Sequence, residues 1–218
     1  GLTLTGFIML TGKRVVVTGS AGFIGKILTG RLWQEHAEVV ELDIENGIDV
    51  TDWEIIRHVG DFDVLYHLAA KTYVPDSYRR SQEFYYSNIV STLNMLELCR
   101  LKNALMIFAS SYVYGQPQYL PIDEKHPVVG CNPYAQSKII CENLCEGYHR
   151  DHHTSVIICR QANIYGTGQA KHFLIPKIIK QAFSGKIRLF DPKPKRDFIH
   201  VDDLVDAYIK CACYDSSQ

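Results

Sequence analysis

Short β-branched and aliphatic runs alternate along this chain with longer stretches whose apolar positions recur at the three-to-four-residue spacing of a helix face. Arg14-Val15-Val16-Val17-Thr18 is followed at once by glycines, as a buried parallel strand is when it ends in a tight turn. The same rhythm predicts strands at 14–18, 38–42, 64–68, 105–109 and 155–159, and helices over 22–36, 82–101 and 132–150. Strand, helix, strand in repetition argues for an α/β fold built on a doubly wound parallel sheet. After Arg160 the rhythm changes to a Gly-rich loop at 165–168, an apolar helix over 172–183 and a Pro/Lys loop at 191–195. The chain thus divides into residues 1–12, read as an upstream extension or cloning remnant with Met9 a natural start, a sheet domain at 13–164, and a partial second lobe at 165–218.

Composition narrows the classes of function. With 46% hydrophobic residues and 22% charged, the 218 residues suffice for a sizeable buried core. A net charge of −1 gives no general attraction for nucleic acid or acidic membrane, so any phosphate-bearing ligand needs a local site. Seven cysteines without a CxxC pair suggest free thiols in a reducing compartment, and the cytoplasm is the expected location. No Cys/His set has zinc spacing, and no metal is expected; the histidines at 149, 152 and 153 read as a polar helix end.

Candidate chemistry begins at Thr18-Gly19-Ser20-Ala21-Gly22-Phe23-Ile24-Gly25, a G-x-x-G-x-x-G turn between strand and helix. Glycines there let the backbone approach a diphosphate, and the helix N-terminus faces its charge. Asp43 closes the second strand, where a carboxylate accepts from both adenosine ribose hydroxyls and repels a 2′-phosphate. No Lys or Arg lies between Glu41 and Thr51 to offset that repulsion, so the expected cofactor is NAD rather than NADP.

An ordered set of motifs accompanies the turn: Asp49-Val50, His67-Leu68-Ala69-Ala70, Asn88 in Ser-Asn-Ile-Val-Ser-Thr-Leu-Asn, Ser110-Ser111-Tyr112-Val113-Tyr114-Gly115, Tyr134-Ala135-Gln136-Ser137-Lys138, and Arg196 to Asp203. From Lys13 to Tyr208 the chain resembles the extended short-chain dehydrogenase/reductases, the NAD-dependent epimerase/dehydratase family whose members include UDP-glucose 4-epimerase-like enzymes. The resemblance implies a Rossmann-type sheet with a small C-terminal substrate lobe. It implies that Asp49 and Val50 meet the adenine, that Leu68, Ala69 and Ala70 line the diphosphate and nicotinamide ribose, and that Asn88 supports that wall. It also implies a homodimer made by pairing helices around 84–100 and 133–149 into a four-helix bundle.

Tyr134 and Lys138 are four apart on a predicted helix, so both side chains leave one face. To act as a base near neutrality, a tyrosine must fall by about 3 pKa units, about 4 kcal/mol of extra phenolate stabilisation. The ammonium and a nicotinamide cation push in that direction. By resemblance Lys138 also bonds the nicotinamide ribose. Ser110, three residues before Val113, is the candidate hydroxyl donor to the substrate oxygen, with Ser111 as the alternative. Family members that lose water place a carboxylate directly after that hydroxyl residue; Ser111 and Tyr112 stand there instead, which favours epimerisation over dehydration.

On the substrate side the resemblance points to Asn163, to Leu174 against the nucleotide base, and to Arg196, whose planar fork suits a diphosphate. Relatives continue past the position of Gln218 with more of the substrate lobe, so an incomplete nucleotide pocket is expected. The activity implied is an NAD-dependent nucleoside-diphosphate-sugar 4-epimerase acting on a UDP-sugar. The alternatives are a dehydratase or 4-ketosugar reductase of the same family, and a non-catalytic dinucleotide-binding module.

Overall fold

The computed structural model describes residues 10–213. The chain begins with β1 (Arg14–Thr18), α1 (Phe23–Gln34) and β2 (Glu38–Leu42), then a single 3-10 turn, Ile44–Asn46, and the short α2 (Trp53–Ile56). β3 (Val64–His67), α3 (Val74–Arg79), the long α4 (Ser81–Lys102), β4 (Leu105–Ala109), α5 (Pro133–His152) and β5 (Val156–Cys159) follow. β6 (Asn163–Tyr165), α6 (Leu174–Phe183), β7 (Phe198–His200) and α7 (Val201–Ala212) close the described chain. Five parallel strands form one sheet in the order β2-β1-β3-β4-β5, a Rossmann-like doubly wound arrangement, and β6 pairs with β7 in a separate two-stranded sheet.

Side chains alternate across a strand, so β1 feeds two cores. Val15 and Val17 pack with Leu28 and Leu32 of α1 on one face, while Val16 joins Leu65, Met106 and Phe108 beneath α4 and α5 on the other. All three β1 valines are fully buried. Leu10, within the stretch read as an extension, is also buried in the first core.

α7 departs from the expected division. Val201, Leu204, Val205 and Tyr208 recur at helical spacing and are buried against the α1 face of the main sheet, where Arg31 of α1 bonds Asp206 at 2.6 Å. The chain therefore leaves the sheet domain at β6 and returns to it with α7. α6 and the following segment stay apart, and no α6 residue is buried. Among the described residues no helix is long and apolar enough to cross a membrane, and no group of three or more His, Cys, Asp or Glu could hold a metal ion.

Candidate active site

β1 and β3 are neighbours, yet the chain leaves them toward opposite sides of the sheet, which opens a crevice at their carboxyl ends. The glycine turn closes one wall. Gly19 has φ +70°, and a Cβ there would stand 2.8 Å from the Ala69 nitrogen. A Cβ on Gly25 would stand 2.1 Å from the Gly19 carbonyl oxygen, so α1 rests directly on the turn. The start of α1, with Phe23 and Ile24, has no side-chain cap and no acidic residue in its first turn. Among the described residues no side chain caps its first amides, and the helix start favours an anion. The Ser20 hydroxyl in the same turn is buried without a partner among the described residues. From here a cleft of about 1870 Å³ runs along the ends of the strands to α6.

The end of the cleft beside β2 is ordered by carboxylates. Asp43 accepts from the Ala21 amide through one oxygen and from the Glu45 amide through the other, each at 2.9 Å. Each oxygen keeps a lone pair for a ligand hydroxyl. Asp49 is tied to Thr51, and the Asn94 amide group donates to the carbonyls of Val50 and Thr51, fixing that loop. Ile44, which no motif singled out, lines the cleft beside Asp43 with 73% of its surface exposed. Its signal was an aliphatic residue following the strand-ending acid.

Leu68, Ala69 and Ala70 line the cleft on the β3 side. A buried polar chain fixes them from behind. The Thr18 hydroxyl accepts from the Leu68 and Ala69 amides, each at 3.1 Å, so its own proton goes to Nδ1 of His67 at 2.8 Å. His67 then carries its proton on Nε2 and donates to Thr92 at 3.1 Å. Burial, reinforced by nearby Lys138, pushes the imidazole pKa down to about 3. Asn88 lies behind this wall, buried, and does not reach the cleft surface. It brackets Lys71 from both sides and donates to Ser137, which in turn bonds the Tyr134 carbonyl.

Tyr134 and Lys138 both line the cleft from the first turns of α5. The helix is positioned by Asn132, whose side chain caps the Ala135 amide at 2.8 Å, and by Pro133 at its first residue. The depression expected for Tyr134 is not present in the protein alone. Burial pushes its phenol above the ordinary value, with the nearby Ser111 hydroxyl pulling it back. Lys138 is itself desolvated, which lowers its proton affinity, and its ammonium donates to the Ala109 carbonyl at 2.7 Å above the Phe108 ring.

The two serines divide differently from expectation. Ser110, expected to donate into the cleft, gives its proton to Glu142 of α5, while Ser111 lines the cleft with Tyr134. Glu142 is 2% exposed and paired with Arg160 at 2.7 Å, which raises the guanidinium pKa further. Sequence reasoning passed over Glu142, although it continues the Tyr134–Lys138 helix face at the same four-residue spacing.

Asn163, Leu174 and Arg196 border the far end of the cleft. The Asn163 side-chain amide donates to the Asp197 carbonyl at 3.0 Å, leaving its oxygen available. Arg196 is exposed, with its guanidinium open to the cleft. Tyr73 meets His172 edge-on, with ring centres 4.6 Å apart, where the wall after β3 approaches the loop before α6. The uncapped helix start, the glycine cradle and the half-engaged Asp43 together fit a dinucleotide.

Comparison with known proteins agrees with this geometry. The profile of the NAD dependent epimerase/dehydratase family matches residues 15–215. A putative UDP-glucose 4-epimerase of Methanocaldococcus jannaschii is 31% identical over 219 aligned positions, covering 88% of this chain and 71% of that protein. GDP-6-deoxy-D-mannose reductase of Pseudomonas aeruginosa is 30% identical over 218 positions, covering 91% and 70%. Among solved structures, UDP-N-acetylglucosamine 4-epimerase from Methanobrevibacter ruminantium M1 in complex with UDP-N-acetylmuramic acid superposes with a TM-score of 0.87 at 29% identity, over 94% of this chain and 74% of that one. RMD from Pseudomonas aeruginosa complexed with NADPH gives 0.82 at 30% identity, over 92% and 73%. Sequence motifs, sheet order and relatives converge: this chain belongs to the NAD-dependent epimerase/dehydratase family.

Proposed function

We propose that the chain is the catalytic part of a nucleoside-diphosphate-sugar 4-epimerase that uses NAD and a UDP-sugar. The observation that carries this reading is that Ser111 and Tyr112, two hydroxyl residues, follow Ser110 at the positions where a dehydrating site would carry an acid, in a cleft that Tyr134 and Lys138 also line. The neighbouring Tyr112 phenol is turned away to the Gly115 carbonyl at 2.9 Å. Glu142 is clamped by Arg160 and is no free acid for elimination. In this reading Tyr134 takes the proton of the sugar 4-hydroxyl, Ser110 and Ser111 hold that oxygen, and Lys138 anchors the nicotinamide ribose. Bound NAD supplies a reversible hydride acceptor for C4. After rotation of the 4-keto sugar, the hydride would return to the opposite face of C4 and Tyr134 would return the proton to the 4-oxygen, so that net redox change would be zero.

Asp43 supports NAD over NADP. Its carboxylate is held by two amides and cannot swing away from a 2′-phosphate, and no Lys or Arg follows it before Thr51. Asn163, Leu174 and Arg196 are proposed to receive the nucleotide part of the substrate, and the cytoplasm remains the proposed location. A homodimer through α4 and α5 belongs to the same reading.

The test is to incubate the chain with UDP-glucose or UDP-N-acetylglucosamine without added NADH. An epimerase interconverts 4-epimers with no net absorbance change at the NADH band, and Tyr134→Phe lowers turnover by at least about 100-fold. A reductase needs added NADH. A pure dinucleotide-binding module shows no turnover and loses nothing in the variant.

A further inference from the structure

The buried charge pair behind the cleft takes no direct part in the proposed chemistry. Ser110 directly follows β4 and is 1% exposed, with only its edge reaching the cleft. Both its polar groups are held from outside its own strand. Its carbonyl accepts from the Gln161 side chain at 2.7 Å, and its hydroxyl donates to Glu142. Glu142 in turn accepts from Arg160 Nε at 3.1 and 3.0 Å and from Nη2 at 2.7 Å. A guanidinium has only donors, so the carboxylate oxygens it grips act as acceptors. A serine has one proton, and here it is committed to Glu142.

The geometry points to Glu142 as a positioning residue that fixes the polarity of Ser110. With its proton held on the carboxylate side, Ser110 offers the cleft lone pairs only. It accepts from the substrate 4-hydroxyl or from Tyr134. Arg160 matters because it holds the Glu142 carboxylate in place. This inference rests on the epimerase reading and adds to it a specific assignment of hydrogen-bond direction.

Glu142→Gln tests the assignment with little change of shape. Arg160 has only donors, so the side-chain carbonyl of the new amide must turn to it. The NH₂ end of that amide then faces Ser110 and donates, which reverses the serine and sends its proton into the cleft. Turnover number, KM for UDP-sugar and the calorimetric dissociation constants of NAD and UDP-sugar are measured for wild type, Glu142→Gln, Ser110→Ala and the double variant. Turnover is expected to fall about tenfold, the worth of one hydrogen bond, with KM and both dissociation constants within about twofold. The double variant is expected to lose nothing beyond Ser110→Ala, since Glu142 acts through that hydroxyl.

Additive losses, or unchanged turnover in Glu142→Gln, overturn the assignment, because a merely structural residue lowers stability without depending on Ser110. If the single change unfolds the chain by circular dichroism, the pair Glu142→Gln with Arg160→Gln removes both charges together and enters the same cycle. A wild-type chain that neither turns over nor binds UDP-sugar sinks the epimerase reading and this role with it. Turnover by wild type with additive variants sinks this role alone.

Discussion

A neutral imidazole inside a protein is a pH-dependent stabiliser, and His67 is the clearest instance here. Its Nδ1 must accept from Thr18, so a proton on that nitrogen breaks the bond that holds the wall after β3. Its pKa of about 3 when folded, against 6.5 when solvated, means the unfolded chain binds the extra proton first. The contribution is thus complete above about pH 6.5, declines as pH falls, and is exhausted near pH 3. At about pH 5.5 the loss is about 1.4 kcal/mol relative to pH 7.5, read from urea midpoints. His67→Gln is expected to be less stable at pH 7.5 and to lack that component of the slope. Equal slopes in the two proteins would contradict the lowered pKa of the folded imidazole. The sequence could flag His67 within a motif, but not this role, because its partner lies 49 residues away and only the parallel pairing of β1 and β3 brings them together. The bond from Ser110 to Glu142 was hidden for the same reason: it depends on Glu142 and Arg160, which arrive from α5 and the end of β5.

Among the elements, α5 carries the most of the proposed site and depends on how it starts. Tyr134 lies in the first turn, where helices fray, and the Asn132 cap and Pro133 hold that turn in place. Asn132→Ala removes the acceptor for the Ala135 amide and is expected to cost about 1 kcal/mol, a fall of roughly 2–4 °C in melting temperature for a chain of this size. Asn132→Asp keeps the acceptor, adds a negative charge at the helix N-terminus, and is expected to melt within about 1 °C of wild type. If the two variants melt together, the cap is not what secures the turn. The major elements were legible because their periodicities are long and unbroken: α4 and α5 differ from expectation by only a residue or two at each end. What was not legible was short or ambiguous about direction. β6 and β7 are three residues each and exist only as each other's partner. α7 shows its apolar stripe plainly, but a stripe does not say which layer receives it, and it proved to be the sheet domain through Tyr208 and the Arg31–Asp206 bond.

At the scale of the whole molecule, the outer helical layer bears on assembly. α4 and α5 pack side by side on the sheet, and their inner residues, from Met95 to Cys145, fill the second core. The outer face of α4 is not the charged surface such a position usually presents. Tyr86, Leu93 and Leu101 follow one another at about two-turn intervals, with 61%, 39% and 54% of their surfaces exposed. Beside them α5 contributes the half-buried Ile140, Leu144 and Tyr148 at one-turn spacing. Two such pairs brought together by a twofold axis form a four-helix bundle in which each stripe covers the other, the isologous arrangement that closes an apolar face without leaving a new one. Sedimentation velocity is therefore expected to give a dimer at micromolar concentration. Leu93→Glu places a carboxylate in the middle of the seam, where it must lose water without gaining a partner, and is expected to weaken association by at least about 100-fold. The variant should sediment as a monomer with an unchanged far-ultraviolet circular dichroism spectrum, since Leu93 belongs to neither core. A wild-type monomer, or a variant that still sediments as a dimer, would place any interface elsewhere.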